Sequence, residues 1–248
     1  LYNLAEDPAE TNNLAAQERD RLIAMIGMWY VEAGKYNVLP IDSRGTPKLA
    51  EERPQIAATR NRYTYYPGTQ MVPGNAAPRL LNRSHSVSVD VTVPEGGGEG
   101  VLFSMGGNDG GFVFFVKEGR LTYGYNYVTE SYFRIEAPQP LPSGRHVLSF
   151  QFEPTGPADP AAGRGCPARI QLLVDGDPVG EGQLPVTIPL CLGLGAGVAV
   201  GADPGSPALP DYQPPFPFTG TVHKALVDVT GELVEDNEAL IRMYLARQ

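Results

Sequence analysis

From Ser86 to Val93 apolar and polar residues alternate without a miss, Val87, Val89, Val91 and Val93 against Ser86, Ser88, Asp90 and Thr92. A period of two is the signature of a strand with one buried and one wet face. Further runs follow at Val101 to Met105, Phe112 to Lys117, Leu121 to Tyr127, Tyr132 to Glu136, His146 to Phe152, Ile170 to Val174, Cys191 to Val200 and Thr219 to Val229. Asn108-Asp109-Gly110-Gly111 and Asp175-Gly176 between such runs are hairpin turn signals. So many short strands predict a β-sandwich of jelly-roll or concanavalin-like type.

The first fifty residues obey a different rule. Leu22, Met25, Ile26, Trp29 and Ala33 recur at helical spacing with Gly34 placed to stop them, which predicts a helix from about Ala15 to Ala33 with one apolar stripe. Before it, Asp7-Pro8-Ala9-Glu10 carries a cap acid, a proline at the first helical position and a glutamate at the third, the start of a short helical turn. Pro40, Pro47, Pro54, Pro67 and Pro73 then stand in a stretch of little periodicity, which reads as an extended, wrapping linker. Near the end, Leu240, Ile241, Tyr244 and Leu245 return to helical spacing, with Glu238 and Arg242 four apart. The predicted organisation is a turn and helix over 1–36, a linker over 37–62, the sandwich over 63–230 and a C-terminal helix over 231–248.

Composition agrees with this grammar. The 29 Gly and 24 Pro among 248 residues favour turns over helices, while 12 Tyr and 9 Phe supply material for a core. A net charge of −9 without a dense Lys/Arg cluster argues against nucleic acid as a partner. No apolar run approaches the roughly 18 residues of a membrane-spanning helix. Leu1 rather than Met opens the chain, which suggests a fragment or processed product and leaves cytoplasmic and exported locations both open. Cys166 and Cys191 are too few for a disulfide framework and lack C-x-x-C spacing; they can pair across strands or stay free.

Candidate chemistry is sparse. Tyr123, Tyr125 and Tyr127 point from one face of one strand, and on an exposed face they would stack on sugar rings as a carbohydrate-binding platform. The adjoining Phe112 to Val116 run lacks polar alternation, a sign of burial on both faces that favours core packing for the tyrosines. Asp175-Gly176-Asp177 lacks the further acids of a calcium loop and reads as a hairpin turn. His85, His146 and His223 read as ordinary strand residues. No strand offers the two alternate-position acids of a sandwich glycosidase, and no G-x-S-x-G elbow is present. Cys166-Pro167-Ala168-Arg169 falls one residue short of the C-x-P-x-R signature from which sulfatases make formylglycine.

The opening segment Leu1-Tyr2-Asn3-Leu4, continuing through Asp7-Pro8-Ala9-Glu10 to Asn13-Leu14, nevertheless resembles the L-Y-[DN]-L-x-x-D-P-x-E-x-x-N-L stretch near the end of the sulfatase fold. Tyr36-Asn37-Val38-Leu39-Pro40-Ile41-Asp42 resembles the Y-x-V-L-P-[LI]-D stretch of bacterial arylsulfatases. Gly110 to Tyr127, Leu173 to Gly182, Val200 to Pro207 and Phe216 to Val222 resemble the concanavalin-like sandwich appended to that branch. The resemblance implies a non-catalytic C-terminal portion of a sulfuric-ester hydrolase, contributing structure, a cleft wall or oligomer contacts. Its partner would be an upstream catalytic domain, which would meet a sulfated small molecule or glycan. In that family the formylglycine, the divalent metal, calcium by expectation, and the sulfate-binding Lys and His belong to the upstream domain. No catalytic or metal-binding residue and no cofactor is therefore carried over to this chain, which is expected to be inactive alone. The alternative is a carbohydrate-binding sandwich module using the tyrosine row.

Overall fold

The computed structural model describes residues 1–41, 60–73, 76–189, 192 and 197–231. The chain divides into two compact units, Leu1–Glu51 and Glu52–Gln248. In the first, helix α1 runs Arg19–Lys35, starting four residues later than its periodicity predicts. The segment before it closes on itself, and the turn expected at Asp7-Pro8-Ala9-Glu10 is present as a single turn, Glu10 N–H donating to Asp7 O at 3.1 Å, that does not grow into a helix. Leu14 N–H donates to Leu1 O at 2.8 Å, and the Asp7 carboxylate accepts from Thr11 N–H, the Thr11 hydroxyl and Asn12 N–H. These three donors hold the Asp7 carboxyl below its usual range, Asn12 contributing most. The predicted C-terminal helix and most of the linker lie outside the described residues.

The second unit is a sandwich of two antiparallel sheets. The six-stranded sheet has the order β1 (Arg62–Tyr65), β11 (Thr221–Val229), β2 (His85–Val93), β7 (Gly144–Pro154), β8 (Ala168–Val174), β9 (Asp177–Leu184). The five-stranded sheet has the order β10 (Val198–Val200), β3 (Gly100–Gly107), β4 (Gly110–Lys117), β5 (Arg120–Tyr127), β6 (Ser131–Pro140). Asp175-Gly176 is the two-residue turn of the β8–β9 hairpin, with φ of +54° and +92°, the left-handed pair that a twisted hairpin demands and that Asp-Gly accepts at low cost. One strand, β1, escaped the sequence reading, being only four residues long, and β9, the second arm of the Asp175-Gly176 hairpin, could not be given bounds because Gly180 and Gly182 blur its alternation. Gly182 has a reason of its own, since a Cβ there would lie 2.5 Å from Ile135 on β6, where the two sheets pinch together.

Between the sheets sits the main core, built on Phe103, Phe112, Phe114, Phe150, Leu148 and Ile170, all at most 1% exposed. The five-stranded sheet is buried on its other face as well. There the segment 201–218 lies across it as a strap, packing Ala208, Leu209, Tyr212 and Phe216 on Val101, Val113 and Phe115. This accounts for the unbroken apolar run in β4. Gly124 is the floor under Leu209, because a Cβ at Gly124 would stand 2.1 Å from Leu209 Cδ1. Arg134 grips the strap through both carboxylate oxygens of Asp211, and the Tyr212 hydroxyl donates to the buried Asp203 carboxylate at 2.5 Å. Burial pushes the Asp203 carboxyl above its usual range.

Candidate functional site

The tyrosine row faces inward. Tyr123, Tyr125 and Tyr127 are 1%, 3% and 8% exposed, so a sugar ring has no aromatic face to meet there. Tyr123 packs with its ring centroid 4.7 Å from that of Phe150 and 5.6 Å from that of Phe112. The Tyr125 hydroxyl accepts Ile188 N–H at 2.9 Å, and the Tyr127 hydroxyl donates to Gly163 O at 3.0 Å. Burial above all raises the phenols of Tyr123 and Tyr125.

The three histidines occupy strands and divide by environment. His85 lies at the end of β2, stacked 4.6 Å from Phe152, and its Nδ1 is 2.8 Å from Arg83 O. A carbonyl can only accept, so Nδ1 carries the proton and Nε2 is left as a buried acceptor with no partner among the described residues. Burial lowers this imidazole to about 4. His146 meets Asp175 at 2.7 Å, a partner brought by the β8–β9 turn and invisible in the local sequence. His223 meets the Thr92 hydroxyl at 2.9 Å. Cys166 is buried with a free thiol, while Cys191 lies outside the described residues. Among the described residues no three His, Cys, Asp or Glu side chains come together as metal ligands, and no helix is long and apolar enough to cross a membrane.

What the fold does assemble is a polar transversal on the outer face of the six-stranded sheet. Strand register aligns Arg62 with Asp228, Asp228 with Ser86, Ser86 with Gln151, Gln151 with Gln171, and Gln171 with Glu181, one residue from each of the six strands. All six are half-buried or exposed. Beside this line runs a second of Thr64, Leu226, Ser88, Ser149 and Leu173. Amides and hydroxyls at strand spacing on a rigid sheet can exchange hydrogen bonds with a row of ligand hydroxyls, and the Arg62–Asp228 pair at 2.7 Å closes one end. The alternation in β2 and β7 identifies which side chains point outward. Only the register, a tertiary property, shows that they line up.

No protein-family model and no curated protein sequence matches the chain. Solved structures do match its architecture. The CBM40 of the Ruminococcus gnavus IT-sialidase bound to α2,3-sialyllactose is 17% identical, with a TM-score of 0.42 over 73% of this chain and 91% of that one. The K499G mutant of NanB sialidase from Streptococcus pneumoniae is 12% identical, with a TM-score of 0.46 over 73% of this chain and 27% of that one. Domain 4 of AbnA, a GH43 extracellular arabinanase from Geobacillus stearothermophilus, in complex with arabinotriose, is 12% identical with a TM-score of 0.39 over 66% of each chain. The likeness is one of fold alone. It concerns how strands are layered and not what the layers bind.

Proposed function

We propose that the chain is a non-catalytic accessory module whose sandwich engages a carbohydrate through the outer face of the six-stranded sheet. The observation that carries this reading is the asymmetry of the two outer faces. The strap covers the five-stranded sheet, whereas the six-stranded sheet presents its polar transversal to solvent. Sugar hydroxyls are matched by planar amides and by carboxylates, each able to hold more than one hydrogen bond. Replacing Gln151 and Gln171 together by Ala should leave the melting temperature within a degree or two, as surface changes do, while removing glycan binding measured by calorimetry. Sialyllactose and arabinotriose join neutral and sulfated oligosaccharides in the panel, since two of the sandwiches above were solved with them. Unaltered binding by the double variant would move the site elsewhere on the module.

A second reading, favoured by the first unit, concerns the enzyme that the module serves. The residues that resemble the sulfatase segment form a local hydrogen-bonded knot, with Asp7 and Asn13 as its acceptors, and this supports a structural signature rather than a chemical one. Beyond the knot, α1 leaves Met25, Ile26, Trp29, Tyr30 and Val31 between 44% and 68% exposed. On this reading α1 docks against an upstream arylsulfatase-like catalytic body, which would hold the formylglycine and calcium. Trp29, the sole tryptophan, reports on it. In this chain alone its fluorescence should be red-shifted and readily quenched by acrylamide, and in a chain extended upstream it should shift to the blue and resist quenching as water is excluded. Identical spectra in the two would refute the docking.

A further inference from the structure

On the same outer face, at the opposite end of β2 from His85, a β-bulge changes the chemistry. Between Val222 and Lys224 the β11–β2 register slips by one residue, so that Val222 pairs with Val91 and Lys224 with Asp90, leaving His223 unpaired. Val222 and Ala225 are buried, and the two residues between them, His223 and Lys224, both turn outward where regular alternation would allow one. Arg145 enters from the other side. It stands opposite Thr92 in the register and donates from Nε and Nη2 to the two Asp90 oxygens at 3.0 and 2.9 Å. The Asp90 side chain is 13% exposed, while that of Arg145 is 67% exposed and Lys224 is open to solvent. Asp175, on the adjoining β8–β9 turn, is occupied by His146 and by Val147 N–H. In a chain of net charge −9, this corner therefore sets two cations and an imidazole around the already bonded Asp90 carboxylate.

We infer that the bulged corner formed by Arg145, His223, Lys224 and Thr92 is an anion subsite that takes the sulfate or carboxylate group of an acidic glycan lying along the sheet. Asp90 orients the Arg145 fork and leaves its outer N–H groups free to point away from the sheet. Lys224 supplies the second charge, and Thr92 with His223, 2.9 Å apart, a hydrogen-bonding floor. The inference rests on the sheet face being the carbohydrate surface and adds the class of sugar that it selects.

Matched pairs test it by calorimetry on the whole chain: sialyllactose against lactose for a carboxylate, and a sulfated galacto-oligosaccharide against its desulfated counterpart. At least one acidic member should bind about tenfold or more tighter than its neutral counterpart, as expected for a charge-assisted hydrogen bond, and the difference should shrink with added salt. Lys224→Ala and His223→Gln should each erode that preference while neutral binding persists, and Lys224→Arg should retain it. A preference within one pair alone identifies the anion. Equal affinity within both pairs overturns the subsite and leaves the carbohydrate surface standing; binding of no member overturns both.

Discussion

Tyr125→Ala should lower the free energy of unfolding by about 3–5 kcal/mol, the range for removing a large aromatic side chain from a packed core. The ring is 3% exposed between the sheets and cannot be replaced by neighbours without moving strands. A second loss accompanies the cavity, because Ile188 N–H donates a hydrogen bond to the Tyr125 hydroxyl and would be orphaned. Tyr125→Phe isolates that part and should cost about 1–3 kcal/mol, the penalty for stranding a buried donor. Denaturant melts with unchanged slope would read both. A loss of less than about 0.5 kcal/mol for Tyr125→Ala would mean that the ring is solvated, and the platform reading would return.

Acidification from pH 6.5 to pH 4 should cost about 3 kcal/mol through His85 alone. The buried imidazole titrates near 4 against an ordinary value of 6.5. A depressed histidine is one whose neutral form the fold prefers, so the stability tied to it is complete above pH 6.5. As the pH falls toward 4 the unfolded chain takes up a proton that the fold refuses, and the folded state loses ground throughout that window. Two kinds of carboxylate act elsewhere. Asp90 and Asp175, both held low by partners, weaken the fold only below their usual value of 3.8, and Asp203, raised by burial, works in the opposite direction as it becomes protonated. The comparison is therefore between the unmodified chain and His85→Phe, which keeps a ring against Phe152 and removes the titration. Parallel stability curves between pH 6.5 and 4 would show that His85 is not the sensor.

The sandwich was legible in the sequence because alternation survives wherever one strand face meets the core, as β2 shows residue by residue. The Asp175-Gly176 hairpin was legible too, since the turn chemistry is local. Helix α1 could be placed from its stripe, but its start could not be fixed to better than a turn, because a single turn capped by the Asn13 side chain on Ala15 N–H, with Glu18 N–H donating to Leu14 O, leads into it. The tyrosine row was legible in part. Three tyrosines on one strand face carry the same pattern whether that face meets a sugar or another sheet; the apolar run of the neighbouring β4 favours the core, but Phe150 of β7, against which Tyr123 packs, is distant in sequence. The polar transversal and the bulged corner were out of reach for the same reason, since register and a slipped pair exist only once strands are side by side.

The strap over the five-stranded sheet also orders events in time. Leu209 can seat on Gly124, and Tyr212 against Phe115, only after β3, β4 and β5 have already paired, and loop closure over nearly a hundred residues separates the two. Local hairpins close over few residues, so the strap is expected on the late side of the folding barrier. Changes in it should leave the rate of refolding almost untouched and appear as faster unfolding. The segment thus acts as a latch on a sandwich that has already assembled, setting how long the folded molecule lasts rather than how quickly it is made.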